Sequence, residues 1–287
     1  MLRFQKQYFK EVCRYAISPI FVVMKWIFLI LTIVTLGSCN SYNRILKSDD
    51  YEAKFNEANR LYDAEKYERC VGLYEQVYQR SPRSPQGEVA FYRLGKACFA
   101  VEDWYLASYY LAAFQTKFPY SPKVEETMFL AAVCAVQNSP EVSLDQHETE
   151  VALNELQGFV TRFPNSELLD TCNLIMDKLR FKLETKDMMT VRLYSKTENY
   201  RAAVVSGEQF LDNYPRSIYR EEAWAILIRN SYHLASNSVD SKIEERIEKT
   251  NERSNIFLVE FPNSDYLREF EGYIEKLKKV NIPVSNK

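Results

Sequence analysis

The side chains of this chain best suited to chemistry are two histidines, six cysteines and several paired carboxylates. None stands in a pattern that a reaction requires. His147 falls in a polar turn and His233 in an apolar stretch, and there is no HExxH, so neither a zinc hydrolase nor a histidine-based triad is expected. Glu125 with Glu126, Glu148 with Glu150, Glu221 with Glu222, and Glu244 and Glu245 with Glu248 all lie beside basic residues on a helical period. That is the pattern of a solvated helix face, whereas glycoside cleavage needs two carboxylates facing each other across a cleft. Cys70, Cys98, Cys134 and Cys172 are spaced 28, 36 and 38 residues apart with no CxxC, which excludes the common zinc and thioredoxin patterns. A disulfide framework and a set of small apolar core residues are the two readings left, and the positions given below favour the second. Neither GxGxxG nor GxxxxGK[ST] occurs, so no phosphate cradle is expected. The chain reads as non-catalytic, with no metal and no cofactor.

Cys39 is a different case. Trp26 to Leu36 is an unbroken apolar run of eleven residues, preceded by Lys25 and followed by Gly37-Ser38-Cys39. Basic end, apolar core and small residues form the order of a secretory signal, and Leu-small-small-Cys resembles a bacterial lipobox. The implied product is a chain cleaved before Cys39 with lipid on its thiol. An uncleaved helix from Ile17 to Leu36 is the competing reading, interrupted by Pro19 and Lys25. Met24 as the start would give a signal of more usual length. Without residues 1–38 the chain carries 32 basic and 38 acidic residues, a net charge of −6. That balance gives no support to nucleic acid as a partner, which needs a clustered basic face.

The elements that must position these side chains are helices. Only 7 glycines occur in 287 residues, too few for a many-turned sheet. One phrase recurs: Ser81-Pro82-Arg83-Ser84, Phe118-Pro119-Tyr120-Ser121, Phe163-Pro164-Asn165-Ser166, Tyr214-Pro215-Arg216-Ser217 and Phe261-Pro262-Asn263-Ser264. Proline cannot continue a helix interior and serine is a good N-cap, so each phrase ends one helix and opens the next. Twelve residues before each proline stands Cys70, Ala107, Ala152, Ala203 or Thr250, and three before that often an aromatic, as in Tyr67, Trp104 and Tyr200. Small residues at a fixed place let two antiparallel helices approach closely. The pattern resembles the tetratricopeptide (TPR) repeat. It predicts an all-α helix-turn-helix solenoid of about five repeats plus a C-terminal capping helix. The expected helices span 50–64, 67–80, 84–101, 103–117, 121–137, 145–162, 166–196, 199–213, 217–235, 240–260 and 264–280, with a longer turn near 138–146. The expected organisation is a signal over 1–38, a lipidated tether over 39–49, N-terminal repeats over 50–164, and C-terminal repeats with the cap over 165–287.

In such a stack the first helix of each pair lines the inner face. Helical spacing puts Phe55, Asn59, Tyr62 and Asp63 there in repeat one, and Tyr92, Lys96 and Phe99 in repeat two. An aromatic groove with one amine suits an extended peptide that carries aromatic side chains and a terminal carboxylate. The competing reading packs Phe55, Tyr92 and Phe99 between neighbouring helices and leaves Lys96 in solvent.

The stretch from Tyr51 to Ala135, with YEAKFNEANRLYDAEKYERCVGLYEQVYQRSP and KFPYSPKVEETMFLAAVC, resembles the BamD family of TPR lipoproteins, which serve the outer-membrane β-barrel assembly machine. The likeness extends over the whole chain after Cys39 and weakens in the last two repeats. It implies a lipid anchor in the outer membrane on the periplasmic face, with unfolded barrel precursors bound by the N-terminal repeats. It also implies that the C-terminal repeats, about 187–280, dock a BamA-type subunit through its POTRA portion. The extra leader of 23 residues, the longer turn near Pro140 and the four thiols depart from the family. A TPR lipoprotein that organises cell-wall or division proteins is the alternative.

Overall fold

The structure is a computed structural model that describes residues 42–279. Among the described residues a short helical segment at 42–46 is followed by eleven longer helices: α1 Tyr51–Asp63, α2 Tyr67–Arg80, α3 Pro85–Ala100, α4 Trp104–Lys117, α5 Val124–Asn138, α6 His147–Arg162, α7 Leu169–Lys196, α8 Tyr200–Asn213, α9 Arg220–Ser236, α10 Asp240–Glu260 and α11 Leu267–Lys278. No strand occurs among the described residues. Helices α1 to α10 form five helix-turn-helix pairs and α11 follows as the cap, so the fold is the all-α TPR type. Two compact units divide at Cys134 and Ala135, inside α5. The signal over 1–38, the lipid site Cys39 and the last residues, 280–287, lie outside the described residues.

The recurring phrase folds the same way each time. The carbonyl of its first residue accepts the N–H of its serine at 3.1–3.2 Å in all five copies, a turn with proline at its second position. In four copies the serine Oγ then takes the N–H two residues on, as Ser217 takes Tyr219 at 2.9 Å. Its carbonyl takes the N–H three residues on, as Ser217 takes Arg220 at 3.2 Å. That extra turn is why α5, α7, α9 and α11 begin three residues later than the serine alone suggests. Ser84 instead caps α3 directly through Gly87 N–H at 2.9 Å, with Pro85 at the first helical position. The aromatic of the phrase packs on a phenylalanine four residues earlier: Phe118 on Phe114, Phe163 on Phe159, Tyr214 on Phe210 and Phe261 on Phe257, with ring centroids 5.0–5.4 Å apart.

The turns inside three repeats are also alike. Glu65, Glu102 and Glu198 sit at φ of 57°, 60° and 57°. At the first, Lys66 N–H reaches Leu61 O at 2.9 Å and Glu65 N–H reaches Tyr62 O at 2.9 Å. The same pair of bonds recurs at Asp103 with Cys98 and Glu102 with Phe99, and at Asn199 with Tyr194 and Glu198 with Ser195. This is a Schellman cap with glutamate in the left-handed place that glycine usually holds.

In the first unit the core gathers Ala58, Leu61, Leu73, Tyr74, Leu94 and Leu111 around the small residues of the crossings. A Cβ on Gly95 would stand 2.9 Å from Leu111 Cδ2, so α3 and α4 meet at glycine because nothing larger fits. Cys70, Cys98 and Cys134 belong to this core and, like Cys172, are buried free thiols. The segment expected as a plain tether is partly folded. Residues 42–46 are helical, the Tyr42 hydroxyl donates to the Arg69 carbonyl at 2.9 Å, and Ile45 and Leu46 pack on the core.

The second unit centres on Met188, Val191, Phe210, Leu227, Phe257 and Phe270. Its longer turn between α5 and α6 is built on Gln146, whose amide donates to the carbonyls of Glu141 at 2.9 Å and Leu144 at 3.0 Å. Two lysines of α7 fasten that turn: Lys182 to Ser139 Oγ and Lys186 to the Ser143 carbonyl, both at 2.7 Å.

Candidate functional site

In the first unit, α1 and α3 are the first helices of their pairs and carry the expected groove residues, with Glu126 at the start of α5 beside them. Two polar clusters form there. In one, Asn59 Oδ1 accepts from the Tyr74 hydroxyl at 2.8 Å and from Arg93 Nη1 at 3.0 Å. Arg93 also reaches Asp63 at 3.3 Å, and its guanidinium lies 4.8 Å from the Tyr62 ring. Tyr62 meets Tyr67 edge-on at 5.3 Å. The guanidinium and the rings of Tyr67 and Tyr74 thus hold Tyr62 in one orientation, partly buried against the core.

In the other cluster the Tyr92 hydroxyl donates to Glu126 Oε2 at 2.6 Å, and Lys96 Nζ donates to Glu126 Oε1 at 2.7 Å. Lys123 Nζ lies 4.2 Å from the centre of the Tyr92 ring. Burial pushes the Tyr92 hydroxyl up to about 12, helped by its bond to Glu126. Burial opposes charge on both Lys96 and Glu126, but their mutual hydrogen bond prevails. Lys96 is held above its ordinary value and Glu126 below. Lys96 is therefore paired inside the chain, and an incoming carboxylate must take it from Glu126.

Among the remaining expected groove residues Tyr92 stands deepest, while Phe55 and Phe99 are partly buried, as Tyr62 is. Tyr92 is buried, and Phe55 and Phe99 pack against the core, Phe99 edge-on to Trp104 at 5.2 Å. Arg93, Tyr74, Lys123 and Glu126 are the members that the sequence reading missed. A signal for some of them exists: opposite charges 30 residues apart recur as Asp63 with Arg93, Lys96 with Glu126, and Arg192 with Glu222. Each ties the first helix of one repeat to the first helix of the next. Lys54 was missed as well; it is buried and donates to Gln76 Oε1 at 2.6 Å.

The other candidate groups resolve into structure. His233 stacks on Tyr200 at 5.0 Å and meets Tyr232 at 5.2 Å. His147 is exposed at the start of α6. Burial pushes the thiols of Cys70, Cys98 and Cys134 up to about 12, which removes the thiolate that reactivity needs. Among the described residues no cluster of three or more His, Cys, Asp or Glu is placed to hold a metal ion. Among the same residues no helix is long and apolar enough to cross a membrane. What the face offers is a set of aromatic rings and paired charges on α1, α3 and the start of α5.

Comparison with known proteins supplies the context. The family YfiO, described as outer membrane lipoprotein, matches residues 47–247. An outer membrane protein assembly factor BamD from Rickettsia prowazekii is 24% identical over 201 residues, covering 69% of this chain and 79% of its own. Its counterpart from Neisseria meningitidis serogroup B is 24% identical over 245 residues, covering 82% and 88%. The counterpart from Caulobacter vibrioides is 25% identical over 166 residues, 58% of this chain and 54% of its own. A solved TPR repeats protein from Bacteroides fragilis aligns with 80% of this chain and 99% of its own at 13% identity, with a TM-score of 0.38, too distant to carry an argument.

Proposed function

The chain belongs to the YfiO family of outer membrane lipoproteins, and from that membership we propose that it is a non-catalytic scaffold of the outer-membrane β-barrel assembly machine. In this reading it is anchored by lipid on Cys39 at the periplasmic face. Its N-terminal repeats take unfolded barrel precursors and its C-terminal repeats dock the BamA-type barrel subunit. The observation that carries the proposal is the family match across four of the five repeats, joined to relatives named as assembly factors over most of their length. The clusters of the inner face fit a binding role, because an aromatic-ended peptide needs a fixed ring to stack on and a cation for its carboxylate.

The peptide groove is proposed in an amended form. Tyr62, Asn59 and Lys96, with Arg93 and Glu126, form the contact surface, while Phe55, Tyr92 and Phe99 hold the helices that present it. Replacing Phe55 or Tyr92 by alanine would test the fold rather than the groove. The test of the groove is Lys96→Ala with Tyr62→Leu, read by the binding of a peptide ending in phenylalanine. Loss of affinity in a protein with unchanged helicity supports the assignment, and unchanged affinity rejects it. The test of the whole reading is purification of the lipoprotein from its own membranes in mild detergent, with its companions identified by mass. A stoichiometric barrel protein carrying POTRA domains supports the assembly role. Cell-wall or division proteins in its place would leave the fold standing and transfer the chain to the alternative reading.

A further inference from the structure

The last two helices leave an open groove of about 330 Å³, lined on one side by Ser254, Asn255 and Leu258 of α10 and on the other by residues of α11. Its meaning comes from the repeat before it. From Ser217 to Ser264 the phrase recurs after 47 residues, and that step carries α8 and α9 onto α10 and α11. Each groove position then has a counterpart in the preceding repeat, and those counterparts lie under a helix.

Leu258 is 50% exposed and its counterpart Leu211 is 7% exposed. Ile274 corresponds to Leu227, which is 1% exposed, and Glu275 to Ile228, which is fully buried. The element beside them is α10. Its Phe257 joins the core cluster that holds Leu211, Leu227 and Ile228. Its Glu260 pairs with Arg220 and accepts the Trp224 indole N–H at 3.2 Å. Its Arg253 donates to Ser231 Oγ at 2.8 Å and pairs with Glu208. These contacted residues are the counterparts of Leu267, Glu271, Lys278 and Asn255. In the first unit α4 stands in the same relation to α2 and α3: Lys117 lies 5.4 Å from the Tyr78 ring and Phe114 stacks on Phe91. The rule of the stack is that the second helix of a repeat fills the groove between the preceding second helix and its own first helix. At α10 and α11 that groove is formed and the helix to fill it is not among the described residues.

We propose that this groove is a socket for one amphipathic helix supplied by a partner protein, and that the partner's helix is basic. The charge follows from where the terminal groove differs from its counterpart. Trp224 and Ile228 become Glu271 and Glu275, exposed carboxylates one helical turn apart, and Ser231 becomes Lys278 a turn further on, above a floor of Leu258, Leu267 and Ile274. A helix laid there meets apolar surface along its centre and, along one rim, two carboxylates followed by Lys278, so leucine-type residues at i, i+3, i+4 and i+7 with lysine or arginine opposite Glu271 and Glu275 complement it. The socket rests on the geometry of the last repeat, whichever protein provides the helix. It therefore stands or falls separately from the assembly reading, which is decided by what co-purifies.

The experiment uses the full lipidated chain in nanodiscs of zwitterionic lipid, with empty discs as the blank. The probe is a labelled leucine–lysine helix of about 18 residues, five turns, and its control is the leucine–glutamate analogue. The expected result is saturable one-to-one binding of the lysine probe, about tenfold or more tighter than the glutamate probe. Leu258→Asp with Ile274→Asp abolishes it, and Glu271→Lys with Glu275→Lys reverses the preference. Binding that both double variants leave unchanged overturns the proposal. Self-association of the free chain that disappears in the Leu258→Asp, Ile274→Asp variant would assign the groove to a second copy. A gain of tenfold or more for the lysine probe on removal of residues 280–287 would assign it to the chain's own end. Either result overturns the partner helix.

Discussion

The glutamates at positive φ make the sharpest stability prediction. A left-handed conformation costs a residue with a Cβ about 1–2 kcal/mol, and Glu65, Glu102 and Glu198 adopt it at 57–60°. Glycine removes that cost but loosens the unfolded chain, which takes back about 0.4–1 kcal/mol. The net gain is about 0.5–1 kcal/mol per site. The turns lie in separate repeats and the gains add, so the triple variant is stabilised by about 2 kcal/mol. For a chain of this size that raises the melting temperature by roughly 4–8 °C. The assay is thermal melting followed by far-ultraviolet circular dichroism, with urea titration as the second measure. Glu248→Gly is the control: Glu248 is exposed in the middle of α10, where glycine costs about 1 kcal/mol. Opposite signs at Glu102 and Glu248 are the expected outcome. A loss at Glu102 as large as at Glu248 would refute the claim that those turns carry backbone strain.

Gly95→Ala is expected to destabilise by about 1–3 kcal/mol through overpacking against Leu111, whereas Gly272→Ala stabilises by up to about 1 kcal/mol because nothing lies within 4 Å of its Cβ position; paired urea melts test both. The hydrogen bond from Arg229, against the effect of burial, holds the Glu269 carboxyl below its ordinary value of 4.5. The native state then binds fewer protons than the unfolded one, so this stability is complete above about pH 4.5 and is lost as pH falls through the depressed native value. Glu269→Gln is expected to lower stability at neutral pH and to flatten the acid limb of a stability–pH profile. Cys70, Cys98, Cys134 and Cys172 are expected to resist a thiol-exchange chromogen at pH 8 while the chain is folded and to react on unfolding; rapid reaction of the folded protein would show that this core opens.

The sequence alone determined the ten paired helices and the cap, because these rest on local physics, though not the helical segment at 42–46. The proline phrase stops a helix wherever it occurs, and the small residue twelve positions before it marks the crossing. The four-residue aromatic pair at four of the five phrases was also present, but its meaning is clear only when Phe210 and Tyr214 are seen to pack ring on ring. Side-chain partners were a different matter. Helical spacing put Phe55, Tyr62, Tyr92 and Lys96 on one face of their helices, yet a face spans several residues, and only the neighbouring helix decides which of them it covers. The tertiary structure therefore decided that Tyr92 is buried against Glu126 and that Lys96 is paired. It also decided that Arg93, a residue between two chosen positions, orients Tyr62. It alone revealed that Leu211 and Leu258, equivalent in the repeat, differ in exposure, because among the described residues one has a helix over it and the other does not. Pattern along a chain records what each residue is; what it touches depends on which helix arrives beside it.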